Sequence, residues 1–279
     1  MFRIYPIVIF GTLVFALVNN WQIPASPDHP ARPFESLALI KHFLLLDVSL
    51  NTTLWALQVE VLMAPIIVSL YFVERRYGIR PILAFAIVTT ALSFSKQWAL
   101  WPPLSHCLFA FVVGILIPTL GRDLVTRLSP TLASRTLAGA ALLMFLPTPL
   151  FGFYSQFSAV IETYAAAVLL GLIAYRTDLR GCYWLDSWPV RQLGLSSGSY
   201  YVLHMVTFPT AVTIASALIP MAWSQAAPIV VGVLVLTIWL AAIAPLAMAS
   251  YYMIEAPGIA LGRRCVNGLK PMRAALPNS

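Results

Sequence analysis

Charge is scarce in this sequence. Only 10% of its 279 residues are Asp, Glu, Lys or Arg, while 60% are hydrophobic; a soluble domain carries about 25% charged residues. A fold of this length cannot cover itself against water with so few polar groups, and the mean hydropathy of +0.84 places the chain in a bilayer. Cysteine is sparse as well: Cys107, Cys182 and Cys265 are scattered and odd in number, which excludes a disulfide framework and offers no metal-ligand spacing. Long basic runs interleaved with aromatics are also missing, so the net charge of +7 does not describe a nucleic-acid surface. No stretch is polar enough to form a separate soluble domain.

What the sequence does contain is a succession of apolar segments. At about 20 residues per crossing, the length accommodates about eight helices, and the predicted fold is an all-α, polytopic membrane bundle. The segments run near 4–20, 53–73, 80–96, 102–121, 134–151, 155–175, 193–219 and 226–252. Between the first two, Pro24, Pro27, Pro30 and Pro33 precede an apolar piece, Ser36 to Leu46, that is too short to cross. It reads as an interfacial or re-entrant helix within a loop. Met1 to Val18 has the basic start of a signal peptide, but the small-residue site near Ala25 and Ser26 is weak, and the segment reads as a spanning helix.

Lys and Arg gather on the cytoplasmic side of short loops. With the N-terminus inside, Arg3, Arg75, Arg76, Arg80, Arg122, Arg127, Arg135, Arg176, Arg180, Arg191, Arg263, Arg264, Lys270 and Arg273 all fall inside. Only Arg32, Lys41 and Lys96 of the 17 basic residues fall outside. This alternation predicts a multi-pass protein of the plasma (inner) membrane with both termini cytoplasmic. Residues 1–262 form its transmembrane domain and 263–279 a basic cytoplasmic tail.

Ionisable groups within a bilayer are costly unless they meet a partner or water, so they are candidates for function. Glu60, Glu162 and His106 lie toward the outer half of their predicted helices, and His204 lies near the middle of its own. The spacing points to a hydrated cavity on the extracytoplasmic side, in which a carboxylate and an imidazole exchange protons with a substrate. The competing reading is helix-to-helix hydrogen bonding, which weighs more for His106 and Glu162 than for Glu60 and His204.

Four segments carry a more specific signal. They are Arg3-Ile4-Tyr5-Pro6; Asn51 to Glu60 (NTTLWALQVE) followed by Pro65; Gly194 to His204 (GLSSGSYYVLH); and Tyr252 to Pro257 (YMIEAP) followed by Gly262-Arg263-Arg264. In this order they resemble the membrane acyltransferase-3 family, whose members O-acylate cell-surface carbohydrates and related acceptors. The second segment is the most specific, similar to the family's N-x-x-L-W-S-L-x-V-E. Three departures stand out: Val61 where a second Glu is frequent, Ala56 in place of Ser, and Gly198 where the pattern has Tyr.

The resemblance implies transfer of an acyl group, most simply acetyl, from a cytoplasmic acyl-CoA donor to a hydroxyl of a carbohydrate, with no bound cofactor or metal. A hydroxyl is a poor nucleophile at neutral pH and needs a base, and an imidazole suits that role. The family's principal base lies on a first helix upstream of Met1, so the chain reads as N-terminally shortened. It is then either inactive or completed by separately encoded helices. Within this sequence the catalytic candidates are Glu60 and His204. Asn51, Trp55, Tyr201, Arg3, His106 and Glu162 are the candidates for substrate binding, Arg3 for the donor's phosphates. The rival classes are a proton-coupled transporter or flippase, against which the lack of internal repeats counts, and a non-catalytic membrane partner.

Overall fold

A backbone inside hydrocarbon must satisfy its own hydrogen bonds, and helices do so locally. Prolines mark where several of these helices begin, because the ring's fixed φ and missing N–H suit the first turn. The computed structural model describes residues 2–22, 36–95, 102–153 and 155–274. Pro24, Ala25, Ser26, Pro27, Pro30, Arg32, Pro33 and Lys96 lie outside the described residues.

In chain order the helices are α1 (Ile4–Gln22), α2 (Ser36–Phe43), α3 (Trp55–Tyr77), α4 (Arg80–Ser93), α5 (Pro102–Leu116), α6 (Arg122–Thr126), α7 (Pro130–Phe145), α8 (Pro147–Phe151) and α9 (Gln156–Tyr175). They continue with α10 (Trp188–Leu195), α11 (Ser197–Leu218), α12 (Met221–Ala226), α13 (Pro228–Ser250) and α14 (Ala256–Ala274). Single π-helical turns, Ile117–Gly121 and Tyr251–Glu255, join α5 to α6 and α13 to α14. No strand occurs among the described residues.

Five stretches are long and apolar enough to cross a membrane: Thr52–Tyr77, Leu104–Thr126, Pro130–Phe151, Gln156–Tyr175 and Pro228–Gly268. Two shorter apolar helices, Ile4–Val18 and Arg80–Ser93, accompany them. A helix therefore lies at each of the eight predicted segments, and five of these meet the length and apolarity of a span. The short piece after the first segment is helical as expected, in α2. The boundary anticipated at residue 262 falls inside α14.

The outward faces are apolar. Phe145, Ile229, Leu17 and Phe72 are all more than 60% exposed, and the most apolar part of Pro228–Gly268 is only 6% buried. Surfaces of this kind belong against lipid. Threonines of the short apolar helix α4 return hydrogen bonds to their own helix: Thr89 Oγ1 donates to Phe85 O at 2.8 Å and Thr90 Oγ1 to Ala86 O at 2.7 Å.

The chain divides into two compact units, residues 1–58 with 188–279, and residues 59–187. In the first, α1, α11 and α13 share a core of Leu203, Ile243 and Ala247 packed by Phe10 and Val14. Gly11 lets α1 approach α11, since a Cβ there would strike the Val202 side chain. In the second, α3, α4 and α5 each contribute an i, i+4 pair, Val59 with Met63, Ile82 with Ala86 and Leu108 with Val112.

A further cluster of the second unit, Val125, Ala133, Leu172 and Leu179, is tied by Arg176. Its Nη1 donates to Val125 O at 3.0 Å and Leu128 O at 2.5 Å, answering carbonyls at the end of α6, while Nε and Nη2 hold Asp178 at 2.7 and 2.5 Å.

This packing generates two predictions. Gly11→Leu forces α1 off α11 and costs about 1–3 kcal/mol. Gly139→Ala, at a helical position where a Cβ meets nothing within 4 Å, gains up to about 1 kcal/mol of helix propensity. Thermal unfolding in detergent checks both signs. At Asp178, the hydrogen bonds from Arg176 hold the carboxyl below its ordinary range. The pair's contribution is present above the usual aspartate pKa and is lost as pH falls through the lowered value. Asp178→Asn removes that acid dependence, read from midpoints measured as a function of pH.

Candidate functional site

The first unit brings together residues from all four signature segments. Arg3, at the start of α1, sends Nε to Glu255 Oε1 at 2.8 Å. Glu255 closes the π-helical turn after α13 and is wholly buried. Its other oxygen accepts a hydrogen bond from Ser199 Oγ at 3.0 Å. Gly198 makes the space for this carboxylate, since a Cβ there would stand 3.1 and 3.2 Å from the two oxygens. The departure from Tyr at this position is thus spatially matched to Glu255.

The small residues of α14 complete the arrangement. Gly258 and Gly262, one turn apart, face Phe2, and a Cβ on Gly262 would lie 2.8 Å from Phe2 Cβ. This close approach fixes the backbone that carries Arg3. Its side chain stays 56% exposed, and with Nε committed to Glu255 the two Nη groups remain outside the pair.

A second group lies further along α11. Asn51 is buried, donates Nδ2 to Val202 O at 3.5 Å, and accepts Thr53 N at 3.3 Å and Thr53 Oγ1 at 2.5 Å. Tyr201 Oη donates to Thr53 O. The loop before α3 is therefore pinned to α11 from both sides, and Asn51 acts as its fastener.

His204 comes next on the same helix. Its Nδ1 meets Tyr201 O, and since a carbonyl oxygen only accepts, Nδ1 is the donor in this contact. The ring lies between Tyr201 and Trp239, with centroids at 5.6 and 5.9 Å. Trp239 Nε1 donates to His204 O at 3.2 Å and to Thr207 Oγ1 at 3.1 Å. The imidazole is half-buried, and these contacts set its orientation.

Comparison with known proteins returns no matching family model, no matching curated protein and no matching solved structure. The acyltransferase resemblance accordingly rests on the residues themselves.

The remaining candidates have other surroundings. Trp55 opens α3 with its side chain 43% exposed. Glu60 belongs to the second unit and is exposed there. His106 Nδ1 lies 3.3 Å from Ser93 O, joining α5 to the end of α4, and Glu162 Oε1 accepts Thr148 Oγ1 at 2.7 Å, joining α9 to α8. Both of these groups make helix-to-helix hydrogen bonds. No cluster of three or more His, Cys, Asp or Glu side chains suited to a metal occurs among the described residues.

Three residues that tie the first unit together escaped sequence reasoning. Glu255 and Ser199 were visible only as parts of motifs, and their pairing across 56 positions had no local signal. His42 is buried, accepts Leu50 N at Nε2 (2.8 Å), and lies with Nδ1 3.3 Å from Ala38 O. A histidine inside a short apolar piece was the available clue, and the geometry makes it a loop anchor.

Arg3→Ala strands a buried carboxylate and costs about 3 kcal/mol. Adding Glu255→Leu to it recovers most of that loss, because no uncompensated charge then remains. The comparison is read as melting midpoints of the single and double variants in detergent.

Proposed function

We propose that this protein is a membrane-bound O-acyltransferase, moving an acyl group from a thioester donor to a hydroxyl of a cell-surface carbohydrate. The observation that carries this reading is the meeting of Arg3, Asn51, Ser199, Tyr201, His204 and Glu255 in one unit. These residues come from four segments up to 252 positions apart. Chance similarity in four short segments gives no reason for their side chains to interlock.

In the proposed reaction the acceptor hydroxyl oxygen attacks the thioester carbonyl, the carbon–sulfur bond breaks, and the hydroxyl proton is passed on as the thiolate leaves and is protonated. The resemblance puts the principal base on a helix outside these 279 residues. His204, oriented by the contact of Nδ1 with Tyr201 O, serves as the proton relay through Nε2. Arg3, anchored through Nε, offers its Nη groups to the phosphates of an acyl-CoA donor. The resemblance also points to Glu60, an exposed carboxylate of the other unit, as a residue that acyl transfer requires. The helices cross eight times, with both termini on the cytoplasmic face of the inner membrane, so donor and acceptor meet the protein from opposite sides.

Incorporation of labelled acetate into surface polysaccharide tests the reading in cells that produce the protein. His204→Ala lowers incorporation by about 100-fold or more, and Glu60→Ala also reduces it, while Gly139→Ala leaves it unchanged. Transport of unmodified carbohydrate by the purified protein, with no acyl incorporation attributable to it, would replace this reading with that of a transporter.

A further inference from the structure

The second unit carries an open groove of about 660 Å³ that the acyl-transfer reading does not use. One wall is the Ile67, Tyr71 and Glu74 face of α3, spaced i, i+4, i+7. The other includes Gly114, Phe111 and Pro118 of α5 and its π-helical turn. Gly114 keeps the groove open, since a Cβ there meets nothing within 4 Å. Along α3 the groove extends for about 10 Å at 1.5 Å per residue, a substantial part of one leaflet of a hydrocarbon core about 30 Å thick.

Apart from Thr119, whose hydroxyl donates to Ile115 O and Leu116 O of its own helix, Glu74 and Tyr71 are the polar side chains of an otherwise apolar lining. At the end bearing these two, Arg75 Nη1 donates to the Tyr71 hydroxyl at 3.3 Å, with the guanidinium 5.7 Å from the ring centroid. A guanidinium cation and a phenolic hydroxyl therefore stand at the groove mouth beside a carboxylate. The Glu74 carboxylate takes no hydrogen bond or ion pair from the described residues, although the side chain is half-buried.

We infer that this groove holds one acyl chain of a zwitterionic aminophospholipid, with the lipid phosphate on Arg75 and Tyr71 and its ammonium on Glu74. The charge pattern selects the headgroup. An anionic phospholipid satisfies Arg75 but places no cation on Glu74, and a neutral glyceride satisfies neither. The apolar walls accept the chain by removing it from contact with other lipid only where the groove is deep, so filling the space at Gly114 removes the site without touching the headgroup residues. The inference depends on the membrane assignment and is independent of acyl transfer.

Native mass spectrometry of the purified full chain in detergent, offered palmitoyl-oleoyl phosphatidylethanolamine or the matching phosphatidylglycerol, tests it. The unmodified protein retains one phosphatidylethanolamine about ten-fold more tightly than phosphatidylglycerol. Gly114→Leu weakens that retention about ten-fold or more with an unchanged melting midpoint. Glu74→Gln abolishes the preference between the two lipids while the phosphate contact keeps both bound, which decides the matter even if Gly114→Leu does not fold. Equal retention of the two lipids by the unmodified protein, or undiminished phosphatidylethanolamine binding by a folded Gly114→Leu variant, would overturn the inference.

Discussion

A carboxylate shut away from water must be answered from within the protein, and the rest of the first unit is arranged around that demand at Glu255. The guanidinium of Arg3 supplies charge, Ser199 supplies a hydroxyl, and Gly198 supplies room. The charge comes from the start of α1 and the hydroxyl and the room from neighbouring residues of α11, so the burial of one side chain ties α1 and α11 to the end of α13. A π-helical turn delivers it. The extra residue in that turn reorients α14 relative to a regular continuation of α13, and Glu255 is the residue at its end.

Two imidazoles of the same unit illustrate how surroundings divide identical chemistry. At His42 both ring nitrogens have backbone neighbours and the side chain is buried, so nothing is left over for a substrate. At His204 only Nδ1 is engaged by backbone, and aromatic rings flank the remainder. One ring is used up by backbone contacts on both sides, whereas the other is held by backbone at Nδ1 and bordered by aromatic rings.

The helical architecture was legible because apolar segments of membrane length leave the backbone little alternative. Segments such as 155–175 and 53–73 were found within a few residues of α9 and α3. The short helices α6, α10 and α12 were not, since five to eight residues carry too little periodicity to register. Within the site, Arg3, Asn51, Tyr201 and His204 were visible as motif residues. The bond from Ser199 to Glu255 was not, because long-range side-chain pairing leaves no spacing pattern. His106 and Glu162 stood out as ionisable groups in apolar helices, and their hydrogen bonds to Ser93 O and Thr148 show how a membrane helix accommodates such groups.

The contact between Arg3 and Glu255 also constrains how the chain threads the bilayer. Two groups 2.8 Å apart share one depth in any bilayer, so the start of α1 and the turn before α14 stand at the same level although 252 positions of the chain separate them. A single ion pair thus levels the two ends of this unit against each other.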